Sequence, residues 1–156
     1  MQMRVAVAAV LALFVSTSAS AEVFKVTVDR KVVVASGQAF GSVGQYEKLV
    51  GSIEFALDPS NPQNVAIDDL TYAARAADGK VHFTADLIVL QPVDAAKGNG
   101  VLLFDIVNRG NLGLLTRFNS ARGSASPEAA EDFGNGFLMR QGYTLVMVGW
   151  EFDIAN

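Results

Sequence analysis

Cysteine is absent from this 156-residue chain, which excludes a disulfide framework, a thiolate zinc site and acylation of a lipoprotein cysteine. Histidine occurs once, as His82, so an imidazole cluster for a metal cannot be assembled from it. Basic residues number 12 against 16 acidic ones, a net charge of −4, and a phosphate-binding surface for nucleic acid needs the opposite balance. With 4 prolines and 14 glycines, a collagen-like or low-complexity chain is also excluded. What is abundant is apolar: 51% of residues are hydrophobic and only 18% charged, the composition of a chain that buries a core.

The first 21 residues have the layout of a secretory leader. Arg4 gives a short positive start, Val5–Val15 is an unbroken apolar run, and Ala19-Ser20-Ala21 offers a small-residue cleavage site. As a helix that run would rise about 16 Å, roughly half of a hydrocarbon core, too short for a spanning anchor. The expected organisation is therefore a signal peptide over 1–21, cleavage after Ala21, and one domain over 22–156. The mature protein is expected to be periplasmic or secreted, with no stable membrane anchor.

Along the rest of the chain, hydrophobic periodicity predicts the elements. Phe24–Asp29 alternates apolar and polar residues and runs on into Val32–Val34, as a half-buried strand does. Ser36–Gly44 is glycine-rich and reads as a loop, and Tyr46–Leu57 as a strand closed by the turn Asp58-Pro59-Ser60-Asn61-Pro62. Ile67–Ala74 and Val81–Leu90 read as two strands of a hairpin around Asp78-Gly79. Val101–Val107 is almost continuously apolar, the pattern of a central strand covered on both faces. Ser126-Pro127 opens a predicted helix with acidic residues in its first turn, which Gly134 and Gly136 threaten to split in two. Tyr143–Trp150 reads as a second buried strand, parallel to the first through a right-handed βαβ crossover.

Several short motifs fail on their context. Ser42 in Phe40-Gly41-Ser42-Val43-Gly44 lacks the first glycine of a nucleophile elbow and precedes the buried strands that would hold one. Asp132-Phe133-Gly134 spells the kinase magnesium tripeptide without any other kinase signature, and Gly98-Asn99-Gly100 precedes a strand where a dinucleotide fingerprint precedes a helix. His82, next to Thr84 and Asp86 on a polar strand face, reads as a solvated histidine; Glu151 and Asp153 read as solvated acids. Asn108–Gly113 carries more weight, because it leaves the carboxyl end of a buried strand, where open α/β sheets bind ligands. Asn108, Arg109 and Gly110 could supply oxyanion donors, or form an ordinary crossover loop with Arg109 paired on the surface. Spacing alone does not separate these two.

Gly37–Leu49, Leu90–Asp94, Val107–Asn111, Gly134–Tyr143 and Val148–Trp150, in this order, resemble the beginning of a bacterial secreted α/β-hydrolase domain family. The resemblance implies an α/β class: a β-rich amino-terminal segment leading into an incomplete hydrolase-like sheet, an antiparallel hairpin followed by a βαβ unit. It further implies that Asn108–Gly113 is the loop that lends an oxyanion amide. The parent chemistry would be acyl or ester hydrolysis by Ser-His-acid, on a small-molecule acyl substrate, with no cofactor, metal or nucleic acid. Family members run longer, and nothing here matches their serine, acid or histidine. The chain is then expected to be an amino-terminal fragment, inactive alone and poorly soluble or associating. The alternative is a stand-alone periplasmic binding or interaction module without catalysis.

Overall fold

Alternating side chains produce three long strands, because a period of two puts one set of residues on each face of a pleated sheet. They are β1 (Glu22–Val33), β2 (Tyr46–Leu57) and β3 (Val81–Pro92). Two shorter strands follow, β4 (Leu102–Val107) and β5 (Thr144–Gly149), separated by helices α1 (Gly113–Asn119) and α2 (Phe137–Arg140). The structure, a computed structural model, describes residues 21–107 and 112–149; residues 1–20 of the expected leader, and Trp150, expected to end the last strand, lie outside them. Among the described residues the five strands form one sheet in the order β1-β2-β3-β5-β4. The pairs β1–β2, β2–β3 and β3–β5 are antiparallel, and β4–β5 is parallel.

This architecture corrects the expected class. An α/β sheet is mostly parallel with helices on both faces. Here the described chain is a β-rich mixed sheet with one parallel pair and two short helices, and it is not an α/β-hydrolase-like arrangement. The predicted βαβ neighbours are parallel, as β4 and β5, but β4 lies at the edge of the described sheet, where a strand covered on both faces was expected. Its Leu102, Phe104 and Ile106 are 54%, 56% and 64% exposed. The predicted hairpin is also replaced. Ile67–Ala74 is not a strand: Asp69 takes a left-handed conformation (φ 58°) and Leu70–Tyr72 is a 3₁₀ turn. The partner of β3 is β2, paired without a break from Tyr46 opposite Pro92 to Leu57 opposite Val81. Asp78-Gly79 does form a tight turn, with Gly79 at φ 80° and Ala76 and Lys80 hydrogen-bonded across it at 2.8 Å.

The two faces of the sheet differ. On the first, the cross-strand rows Val32–Lys48–Leu90–Leu145–Leu103 and Arg30–Val50–Ile88–Met147–Asp105 lie beneath the helices. The core forms there, with Tyr46, Leu90, Leu145 and Met147 packed against Phe40, Leu115, Phe133, Leu138 and Met139. On the second, the rows Val28–Gly51–Leu87–Val148–Ile106 and Lys31–Leu49–Val89–Val146–Phe104 continue into Val26–Ile53–Ala85 and Val23–Phe55–Phe83. None of these second-face residues belongs to the core cluster.

The segment between β4 and β5 is held by polar ties. Asn119, fully buried, donates to the Phe133 carbonyl at 3.0 Å and accepts from the Leu138 amide at 2.9 Å. The predicted helix from Ser126-Pro127 is not continuous; a 3₁₀ turn over Ala130–Phe133 precedes α2, with Gly134 and Gly136 at positive φ between them. Its start is fixed by the Asp132 carboxylate, which accepts from the amides of Glu128 (2.9 Å) and Ala129 (3.0 Å). Ser126 does not cap it; its hydroxyl accepts from the Lys48 ammonium at 2.8 Å.

Candidate functional site

The strand-to-helix junction after β4 is where the sequence points for ligand chemistry. Asn108, Arg109 and Gly110, the expected oxyanion donors, lie outside the described residues, as do Glu151 and Asp153. The two ends of that loop are tied together. Asp105, on the helix-covered face of β4, accepts from the amides of Gly113 (3.1 Å) and Leu114 (3.3 Å). The first free amides of α1 are therefore taken by a carboxylate of the same chain and are not open to a substrate oxygen. Beside this junction lies a cleft of about 310 Å³ lined by Leu112, Gly113, Thr116, Arg117, Gly123 and Ser124. It has hydroxyls and a guanidinium but no base near a nucleophile, which acyl transfer requires.

His82 sits away from this cleft, and its environment corrects the sequence reading. It is not freely solvated: its side chain is 20% exposed. Nδ1 lies 2.8 Å from Glu54 Oε1 on β2, and Nε2 lies 2.9 Å from Asp78 Oδ2 in the turn before β3. Phe24 of β1 meets the ring edge-on at 4.7 Å between centroids. Hydrogen bonds to Glu54, then to Asp78, raise the imidazole pKa above its usual 6.5, and the Asp78 carboxyl is correspondingly lowered. While protonated, an imidazole held by a carboxylate at each nitrogen is a charged strut, with no lone pair left to act as a base. Nearby, Lys80 pairs with Glu22 at 2.6 Å, so the cluster joins three strands and a turn.

A second polar cluster lies under the helices. The Lys48 side chain is fully buried, paired with Glu128 at 2.6 Å, and Arg30 pairs with the same carboxylate. Burial, and then Arg30, lower the Lys48 pKa. On the other face, Glu47 accepts from Lys31 at 2.8 Å and from Gln91 at 2.9 Å. Asp132 and Phe133 of the kinase-like tripeptide serve the fold, one as a cap and the other as core. Ser42 sits in a 3₁₀ turn, Gly41–Val43. Among the described residues there is no group of three or more His, Cys, Asp or Glu side chains placed to hold a metal ion. Nor, among them, is any helix long and apolar enough to cross a membrane.

Sequence reasoning missed the continuation of apolar residues across the strands on the second face. Its signal is present in β2, where Leu49, Ile53, Phe55 and Leu57 alternate with Lys48, Ser52 and Glu54. No family model, curated protein or solved structure matches this chain.

Proposed function

We propose that this chain is a secreted, non-catalytic interaction module that uses its helix-covered face as a rigid core and its second face to engage an apolar partner layer. The observation that carries this reading is the apolar composition of that face, two rows across all five strands and two more across β1, β2 and β3, with Leu87 and Val148 buried at its centre. At its two margins, Val26 and Val28 are about half exposed, as are Phe104 and Ile106. Contiguous apolar surface of this extent marks interaction sites on soluble proteins. The described ionisable clusters support the same reading, since His82, Lys48 and Asp105 are each satisfied by internal partners. The purified protein is expected to bind an apolar surface dye and to leave an activated ester unhydrolysed. Ester turnover at the level of an ordinary esterase, or labelling by a serine-directed phosphonate, would contradict it.

A second reading is favoured by one specific arrangement. In sequence, Asn108, Arg109 and Gly110 follow β4 of the parallel pair and precede Leu112 and Gly113, which line the 310 Å³ cleft. In that reading the chain is the amino-terminal part of a secreted acyl or ester hydrolase acting on a small-molecule substrate. The loop would lend an oxyanion donor, and the serine, acid and histidine would come from chain beyond Asn156. Sequencing the genomic DNA downstream tests it: an in-frame Gly-x-Ser-x-Gly favours this reading, and unrelated sequence removes it.

A further inference from the structure

We propose that the outer edge of β4 takes up an extended segment of another polypeptide as an added strand, apolar at alternate positions and basic where it faces Asp105. This rests on the reading of the chain as an interaction module and gives the partner its chemical form.

The two margins of the described sheet are built differently. β1 carries the devices that keep an edge from pairing. Its register on β2 slips at Val23/Lys25 and again at Val28/Arg30, and it bears Glu22, Lys25, Asp29, Arg30 and Lys31. β4 has none of them. It runs in unbroken register with β5, holds no proline, and has Asp105 as its one charge. The Thr144 amide donates to the Val101 carbonyl at 3.1 Å, which turns the backbone of Val101 toward β5. Successive residues of a strand point their N–H and C=O to opposite sides, so Leu103, Asp105 and Val107 also face β5. Leu102, Phe104 and Ile106 then present their N–H and C=O groups to the other side, where no described strand lies. Their side chains are more than half exposed. A row of donors and acceptors at strand spacing is matched by another extended backbone, and not by an apolar layer alone.

Asp105 distinguishes a foreign strand from a second copy. Two copies related by a two-fold axis would join their sheets by pairing β4 with β4 antiparallel. Centred on Asp105, that pairing sets the two carboxylates directly opposite; centred on Phe104, it sets them one diagonal apart on the same face. Either register is opposed by like charge at a half-buried position. A foreign strand with a lysine or arginine there meets the same carboxylate with attraction.

The test is amide hydrogen exchange of the full chain, expressed with its own leader and purified from whichever fraction holds it. The probe is a capped synthetic heptapeptide that alternates valine with threonine and carries a central lysine. Binding is expected to slow exchange at Leu102, Phe104 and Ile106 by about tenfold or more, and to leave Leu103, Asp105 and Val107, already paired with β5, unchanged. The same peptide with its amides N-methylated, or with glutamate in place of lysine, is expected to bind about tenfold more weakly or not at all. Phe104→Pro removes an outward amide, keeps the bonds to β5, and is expected to abolish binding. Circular dichroism checks its fold, and Leu102→Pro stands in if it unfolds. Equal binding of the N-methylated peptide would mean apolar packing without strand pairing, and equal binding of the glutamate peptide would remove Asp105 as selector; either overturns the proposal. So does a dimer of the protein alone in which the three outward amides are already slow, since a second copy then fills the edge. Apolar dye bound without any peptide binding overturns the added strand and leaves the interaction reading standing. Neither bound removes both.

Discussion

Tyr46 begins β2 fully buried, with its ring edge-on to Phe40 and its hydroxyl donating to the Tyr143 carbonyl at 2.9 Å. Burial pushes its pKa up to about 12, so the phenol stays a neutral donor at any physiological pH. Tyr46→Phe keeps the ring and removes the donor to a half-buried carbonyl; a loss of about 1 kcal/mol in denaturant unfolding is expected. His82 makes a different contribution. Its partners face it from β2 (Glu54) and the preceding turn (Asp78), with Phe24 of β1 against the ring and the Lys80–Glu22 pair beside them. Because the folded pKa is raised, the stabilisation is full below about pH 6.5 and fades as pH rises through the raised value. Thermal melts of wild type and His82→Gln should therefore differ most between about pH 5 and 6 and converge on the alkaline side. Melting curves separated by the same interval at every pH would show that the imidazole charge is irrelevant.

Elements follow their local code unevenly. β2 matches its predicted span residue for residue; its signals are Ile53, Phe55 and Leu57 on one face and the Asp58-Pro59 stop that follows. Ile67–Ala74 looks like a strand by composition, yet Asp68 and Asp69 interrupt it and the chain turns there. Neighbouring β2 supplies a longer and better matched partner for β3. Helix α1 starts where Asp105 reaches across from β4 to its first amides, a cap eight residues away in sequence and invisible to a search for a capping residue next to the helix. Asp105→Ala is expected to cost about 1 kcal/mol and to raise amide exchange selectively at Gly113 and Leu114. Unchanged exchange at those two amides would remove Asp105 from this role.

Across the molecule, the described helices cover one face of the sheet, while on the other Leu87 and Val148 are buried at the centre and Val26, Val28, Phe104 and Ile106 are exposed at the margins. The helical cover depends on the Lys48–Glu128 pair, which joins the sheet to the segment between α1 and α2. Removing the carboxylate leaves a buried ammonium held by Ser126 alone, so Glu128→Ala is expected to cost about 3 kcal/mol or more. Lys48→Met replaces the charge by an apolar chain of similar length and should cost less, since the Glu128 carboxylate keeps Arg30. A methionine variant less stable than the alanine one would mean that the ion pair itself, rather than relief from an unpaired charge, holds the layers together.

How much of this is legible in the sequence depends on the range of each interaction. Alternation, short apolar runs and the chemistry of Asp58–Pro62 and Asp78-Gly79 act over a few residues, so all five strands and those turns stand in the sequence itself. Pairing is different. That β3 takes β2 as partner, that β4 lies at the margin, and that Lys48 meets Ser126 and Glu128 are outcomes of chain distant in sequence coming together. The apolar run of β4 says only that its residues avoid water; which layer shields them is decided by the tertiary structure, and on one face that layer is not supplied by the described chain.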